Sequence, residues 1–369
     1  MTHGSSLTPV RFEALAGWAE DNHAAALEAF RTGCGARSDA APASGVEALR
    51  IQADLCARAL RVAENDGDAA RRFFEDHFLP LRVDAPGFVT GYFEPEIAGA
   101  RTRSSRFQVP LYAAPTDLVR LDETSRPQVL DPALQFARRT KDGLVEHPDR
   151  AAIEAGALKD RGLEIVWVED PIDAFFIHIQ GSARIRLQDG SLMRIAYAAK
   201  SGHPYTPIGR LLIERGAIAR DDMSMERLRD WLRDNPDEAR ALMQANRSYI
   251  FFREVAIADP SAGPIGAAGV SLTAARSIAI DPAFYAYGTP IFVTADLPED
   301  TTGTGQPFRH LMIAQDTGSA IKGPARGDLY LGSGEAAGLR AGRIRHAAEF
   351  VRLVPRGSRL AREAERERK

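Results

Sequence analysis

Ala314-Gln-Asp316-Thr-Gly-Ser-Ala-Ile-Lys322-Gly-Pro-Ala-Arg326-Gly-Asp328-Leu-Tyr330-Leu-Gly-Ser-Gly-Glu-Ala-Ala-Gly338 is the most unusual stretch of the chain. An apolar run, Leu311-Met-Ile-Ala314, leads straight into Asp316, and glycines then bracket a lysine, an arginine, a second aspartate and a tyrosine. Glycines in that density let a backbone turn tightly and let a ligand come close. Two carboxylates, two cations and an aromatic ring can supply acid–base chemistry and a surface for a sugar to stack on. Three readings compete. In the first, Lys322 and Arg326 only neutralise Asp316 and Asp328 in a salt-bridged turn. In the second, Asp316-Thr-Gly318 is the active-site tripeptide of an aspartic protease, which needs two aspartates sharing one proton. The chain holds a single Asp-Thr/Ser-Gly tripeptide, and its 369 residues are too many for a simple half-site homodimer. The third reading is sugar chemistry.

Outward from this stretch, glycine stays dense between 263 and 343, as tight turns and crossing strands of a small barrel require. Strands are expected at Phe88–Glu96, Leu163–Val168, Ala174–Ile179, Tyr249–Phe252, Ser277–Ile280, Pro290–Thr294 and His310–Ala314. Arg184–Leu187 and Leu192–Tyr197 flank Gln188-Asp-Gly-Ser191, an Asp-Gly hairpin signal. Helices are expected around Ile208–Arg215 and Met225–Arg233, and a further one opens at Asn235-Pro-Asp-Glu238 with Asn as cap and Pro in the first turn. The result is an α+β, β-rich chain whose body is interrupted by a β-plus-helix segment near 103–245.

Residues 11 to about 80 read as helices. Phe12, Leu15, Trp18 and Ala19 recur at helical spacing, as do Leu49, Ala53, Cys56 and Leu60, with a third helix around Arg71–Phe78. Asp39–Gly45 between them is a loop by composition. Cys34 and Cys56 are the only cysteines, and they read equally well as two buried hydrophobes or as one disulfide closing a helical hairpin. Without histidines at ligand spacing they make no zinc site. The tail after Pro355 is almost all charge and is expected to be solvated or frayed. The net charge of −3 provides no basic field for nucleic acid. The opening residues, Met1–Val10, have no basic region followed by an apolar run, so no export signal is expected from them.

Several stretches, in order, are similar to one family. Asp-x-Gly-x-Ala-Ile-Lys-Gly-x-x-Arg-x-Asp-x-Tyr, matched over Asp316–Tyr330, resembles the three-aspartate (3D) domain. Thr90-Gly-Tyr-Phe-Glu-Pro-Glu96, Arg106–Tyr112, Asp170–Ser182, Arg184–Leu187, Tyr197–Tyr205, Ile208–Arg210, Asn246–Glu254, Gly269–Thr273 and Asp281–Pro290 extend the resemblance to the membrane-bound lytic murein transglycosylase A (MltA) family over roughly 87 to 355.

The resemblance implies a double-psi β-barrel over 87–102 and 246–355, with the 3D motif within 310–345. An MltA-type β domain with helices would be inserted at 103–245, a helical segment would precede at 1–86, and a charged tail would follow at 356–369. It also implies a long groove for a glycan strand. The implied reaction cleaves peptidoglycan between N-acetylmuramic acid and N-acetylglucosamine, leaving a 1,6-anhydro product, and needs neither metal nor organic cofactor; the alternatives are a non-catalytic glycan-binding protein of this fold and a hydrolase, glycosidic or aspartic-peptidase in type. Asp328 falls on the family's catalytic aspartate and Asp316 on a second aspartate of the motif. Lys322, Arg326 and Tyr330 flank them as substrate-binding candidates. Tyr92 and Glu94, with Phe93, are candidates for the groove wall, and Gln180, Ser182 and Arg184 for hydrogen bonds to saccharide hydroxyls. Lys200, His203 and Tyr205 follow a strand, and His203, with no nucleophile beside it in sequence, reads as structural or substrate-contacting. Asp170 and Asp173 flank Pro171 and suit a turn; Tyr285 and Tyr287 read as core more than groove. The expected partner is the peptidoglycan glycan strand, with association with cell-wall machinery left open and no nucleic acid. The family context places the molecule in the periplasm, often lipid-anchored at the outer membrane.

Overall fold

The structure, a computed structural model, describes residues 6–35, 46–122, 124, 126–257, 259, 262–298 and 305–367. Asp39–Gly45, read from composition as a loop, lies outside them. The chain divides into two compact units, Met1–Phe93 with Ser261–Lys369 and, between those halves, Glu94–Pro260.

Among the described residues the first unit carries an eight-stranded sheet. Its order is Leu7–Pro9, Phe78–Val83, Arg345–Pro355, Pro290–Pro298, Gly305–Asp316, Ser277–Ala279, Arg326–Ser333 and Gly87–Glu94. Arg345–Pro355 also pairs antiparallel with Gly87–Glu94, Arg345 opposite Thr90 and Ala348 opposite Gly87. Side chains alternate faces along a strand, and here both faces are buried. Val89, Ile278, Ile291, Val293, Met312, Ala314, Leu329 and Phe350 form one apolar cluster. Phe292, Leu311, Ile313, Val351 and Leu353 face the other way, onto Trp18, Leu27, Phe30, Phe73 and Phe74 of the N-terminal segment.

That segment differs from its sequence pattern in two ways. Phe12–Ala14 is one 3-10 turn, and the first α-helix is His23–Thr32. Gly17 ends any earlier helix: its φ is +80°, and a Cβ there would lie 2.2 Å from the Arg309 side chain. The helix Val46–Ala59 buries Leu55, Cys56 and Ala59 while Leu49 and Leu60 are exposed, so its inner face is rotated from the expected stripe. The third helix is Gly67–His77, its N-terminus capped by Asp66. Of the two readings of the cysteines, the structure has the disulfide Cys34–Cys56. The charged tail is a helix, Arg359–Glu367, rather than a frayed end. Ala361 and Ala364, three apart, bury against Leu79, Leu81 and Val354, which gives an otherwise charged helix one apolar stripe.

The second unit has a six-stranded sheet in the order Ile250–Val255, Leu192–Lys200, Ser182–Leu187, Glu96–Ala100, Glu164–Val168, Val109–Tyr112. Gly190, at φ +83°, turns the Asp-Gly hairpin. Ala174–Ile179, expected as a strand, lies within the helix Pro171–Gln180. Asp170 caps it by accepting from the Ile172 amide, Pro171 opens it, and Gly181 in left-handed geometry ends it. The helix is buried on nearly all sides, which erases the polar stripe that would have revealed a 3.6-residue period. Asn235 does not cap Pro236–Gln244 with its side chain; its amide donates to the Trp231 carbonyl (2.8 Å), closing the preceding helix.

Candidate active site

Three strands of the first unit bring the two motif aspartates into one row. Ala279 is opposite Asp316 in the parallel ladder on one side and opposite Asp328 in the antiparallel ladder on the other. Residues opposite each other share a face, so both carboxyls emerge on the same side, about two strand spacings (~10 Å at the backbone) apart. The neighbouring strand Gly87–Glu94 supplies Thr90 and Tyr92 to that side, because Val89 between the core residues faces the opposite way.

Thr90 donates its hydroxyl proton to Asp328 Oδ1 (2.5 Å) and accepts a bond from an Arg326 guanidinium nitrogen (2.8 Å). Tyr92 donates to Asp316 Oδ2 (2.8 Å), and the Ala267 amide donates to Asp316 Oδ1 (2.9 Å). The Tyr92 and Tyr330 rings sit 5.4 Å apart between centroids. Arg326 also lies over the Phe88 ring. Both carboxyls are recessed yet keep some accessible surface.

Burial pushes the Asp328 carboxyl up to about 6; the Thr90 hydroxyl and the Arg326 charge oppose the rise, and the Asp316 charge adds to it. Burial also raises Asp316, against the lowering effect of the Ala267 amide, the Tyr92 hydroxyl and its own neighbouring backbone. The Tyr92 phenol is driven well above its ordinary range by burial and by Asp316, so it stays a proton donor. One carboxyl is therefore ready to carry a proton near neutrality beside a second that accepts two hydrogen bonds. That is the equipment for proton donation and retrieval at a single point.

Of the residues singled out from sequence, Tyr92, Asp316, Arg326, Asp328 and Tyr330 come together here. Lys322 does not neutralise either aspartate: its side chain is 67% exposed and pairs with Asp281 at 3.7 Å. Asp281 in turn holds the glycine turn, accepting from the Gly323 amide (2.9 Å). Arg326 reaches Thr90 rather than a carboxylate. The salt-bridged-turn reading of this stretch is thereby corrected.

Glu94, Gln180 and Ser182 belong to the second unit. Glu94 has no exposed surface (0%) and pairs with Arg184 and Arg194, each at 2.8 Å. A carboxylate so enclosed is a structural counter-ion, which corrects its reading as part of a sugar-facing wall. Ser182 is buried at the start of its strand, and Gln180 ends the helix before it. His203 is buried and bonded through Nε2 to the His147 carbonyl (2.8 Å), a structural contact. Asp170 is a helix cap and Asp173 pairs with Arg229. Tyr285 is buried with its hydroxyl on the Pro324 carbonyl.

Thr90 and the Ala267 amide were not singled out. Thr90 had a signal, since it opens the same Thr-Gly-Tyr stretch as Tyr92, whereas a backbone amide leaves none in sequence. Among the described residues no group of three or more His, Cys, Asp or Glu side chains converges as a metal-binding set.

Comparison with known proteins gives this arrangement a context. Residues 88–253 match the family model described as the MltA specific insert domain, and 276–354 match the 3D domain. The membrane-bound lytic murein transglycosylase A of Escherichia coli strain K12 is 34% identical over 289 residues, which cover 77% of this chain and 70% of that protein. Among solved structures, a membrane-bound lytic murein transglycosylase from Agrobacterium tumefaciens superposes with a TM-score of 0.88 at 41% identity, covering 98% of this chain and 99% of the other. E. coli MltA with bound chitohexaose gives a TM-score of 0.68 at 26% identity, covering 95% and 92%. The match to both domain models and the identity over most of each chain mean that this protein belongs to the membrane-bound lytic murein transglycosylase A family.

Proposed function

We propose that the protein is a lytic transglycosylase that cleaves the β-1,4 bond between N-acetylmuramic acid and N-acetylglucosamine in peptidoglycan and leaves a 1,6-anhydro-N-acetylmuramic acid end. The observation that carries the reading is Asp328: a recessed carboxyl raised to about 6, oriented by Thr90, with a second carboxyl in the same row of the sheet. Family membership and the chitohexaose held by the E. coli relative support a glycan as the substrate.

The chemistry follows from one acid doing two jobs. Protonated Asp328 donates to the glycosidic oxygen as the C1–O bond breaks, and positive charge develops at C1. The resulting carboxylate then takes the proton of the same sugar's C6 hydroxyl, whose oxygen attacks C1. The proton count balances, and Asp328 ends as it began. Because the nucleophile is tethered to the electrophile, attack benefits from a high effective molarity and needs no activated water. Asp316, kept in place by Tyr92 and the Ala267 amide, adds its charge to the burial that makes Asp328 a weaker acid and stabilises the charge at C1. Tyr92 offers an aromatic face, and Arg326 a cation, to the saccharide, whereas Tyr330, expected from sequence to bind substrate, is 1% exposed and backs the Tyr92 ring instead.

Further parts of the reading belong to the same proposal. The six strands from Gly87–Glu94 to Arg345–Pro355 form a closed double-psi barrel, a reading supported by a ladder that leads through five neighbours back to Arg345–Pro355. Gln180 and Ser182 contact the glycan. The protein works in the periplasm or at the outer membrane, which the membrane-bound naming of the relatives and the Cys34–Cys56 disulfide support. No helix among the described residues is long and apolar enough to cross a membrane.

The test is incubation with peptidoglycan sacculi and mass spectrometry of the released muropeptides, beside Asp328→Asn. Products one water lighter than reducing muropeptides, made by the wild type alone, are expected. Reducing-end products would mean a hydrolase and would sink the internal attack.

A further inference from the structure

We infer that Gln315 is the positioning residue that decides which face of the sheet Asp316 occupies, and that the end of helix His23–Thr32 is the clamp that holds it. The inference rests on the proposed pairing of Asp316 with Asp328. It starts from the register of the parallel ladder. Ser277 is opposite Ile313 and Ile278 opposite Ala314, but Ala279 is opposite Asp316, so Gln315 is an extra residue in its strand. In an unbroken ladder Gln315 would stand opposite Ala279. The Asp316 side chain would then follow Met312 and Ala314 into the apolar cluster of Ile278, Ile291 and Leu329. The bulge keeps Asp316 on the side where Thr90, Tyr92 and Asp328 emerge.

A bulge gives up ladder hydrogen bonds and has to be held by something else. Gln315 is 1% exposed and fully engaged. Its amide nitrogen donates to the Ala29 carbonyl (2.7 Å) and to Thr32 Oγ1 (2.9 Å), which uses both of its hydrogens. Its side-chain oxygen accepts from Ser277 Oγ, which itself accepts from the Thr273 amide (2.7 Å). Its main-chain carbonyl accepts from the Ala268 amide (3.0 Å), next to the Ala267 amide that binds Asp316. Two donated bonds and one accepted bond in these directions require a carboxamide; a carboxylate cannot donate, and a thioether cannot donate and accepts only weakly. Thr32 is the last residue of its helix, and Cys34, two residues on, is bonded to Cys56. The N-terminal helices, outside both matched domain models, thus reach the candidate site through one side chain.

The test compares full-length Gln315→Met, Thr32→Val and Thr32→Ser with the wild type. Two readouts are taken: kcat and KM on peptidoglycan, and the pH at which Asp328 ionises. The second is obtained without substrate, from the pH dependence of the stability difference that Asp328→Asn makes in each background. Gln315→Met is expected to lower kcat about tenfold or more with KM within about twofold. It should also lower the Asp328 midpoint, because the Asp316 charge that adds to its rise no longer stands beside it. Thr32→Val should show a smaller shift of the same sign, and Thr32→Ser, which keeps the hydroxyl, none. A folded Gln315→Met with unchanged kcat and midpoint overturns the inference. If that variant does not fold, Thr32→Val decides, and no change in either readout overturns it. Should the wild type prove not to be a transglycosylase, the ionisation midpoints still judge the role of Gln315.

Discussion

Replacing Asp328 by Asn should make the protein more stable, and only above a certain pH. The folded site holds this carboxyl at about 6 against an ordinary value of 3.8, chiefly because burial disfavours its charge. A raised folded value means that the folded state binds the proton more tightly than the unfolded chain. The favourable contribution is complete below 3.8 and is lost as pH rises through about 6. At pH ~7.5 the wild type therefore carries a buried charge whose upper-bound cost is about 3 kcal/mol. The carboxyl keeps some contact with solvent, so about 1–3 kcal/mol is the sounder range. Asn has nearly the same shape, still accepts from Thr90, and carries no charge. If the first unit, roughly 200 residues, unfolds cooperatively, that range corresponds to a rise in Tm of about 2–7 °C. Differential scanning calorimetry of both proteins at pH ~7.5 and ~4 measures it. The gain should be present at the higher pH and nearly gone at the lower. An equal gain at both, or a loss at pH ~7.5, would show that the site does not raise Asp328 and would remove the physical basis for its role as an acid.

Release of muropeptides by the wild type should fall about tenfold per pH unit once the pH exceeds ~6, since only protonated Asp328 can donate; a flat profile from pH ~5 to ~8 would contradict this. Tyr92→Phe deletes one of the two side-chain-reaching donors to Asp316 and should raise the ionisation midpoint of Asp316 further while lowering kcat by about 10- to 100-fold, with circular dichroism unchanged. Glu94→Ala leaves Arg184 and Arg194 without their shared buried counter-charge and should destabilise the second unit by about 3–5 kcal/mol in urea unfolding; a wild-type midpoint would refute its structural role.

The row of chemistry was readable because its residues are rare types crowded into one glycine-rich stretch. Asp316, Arg326, Asp328 and Tyr330 needed no tertiary information to be noticed. Where the reading failed, tertiary context had overridden a local pattern. Ala174–Ile179 shows no period because Pro171–Gln180 is covered on nearly every side. Phe12, Leu15 and Trp18 keep helical spacing, but Gly17 turns the chain between them. Ala361 and Ala364 are too small to mark a buried face amid so much charge, yet two alanines suffice against Leu79 and Leu81. Glu94 looked like a wall residue because its counter-charges, Arg184 and Arg194, lie some ninety to a hundred positions away. The bulge at Gln315 was invisible for a different reason: register is a property of two strands, and only one of them is in any stretch of sequence.

The ladder between Gly87–Glu94 and Arg345–Pro355 joins residues about 255 positions apart. Closing so long a loop is entropically costly and slow, whereas Glu94–Pro260 is contiguous and can condense as soon as it leaves the ribosome or the export channel. The strand that bears Thr90 and Tyr92 must then wait, unpaired along that edge, until Arg345–Pro355 has been made. Order of synthesis thereby becomes a safeguard: on the proposed activity, an enzyme that cuts the wall of its own cell has no assembled acid until the strand that follows Asp328 has also been made.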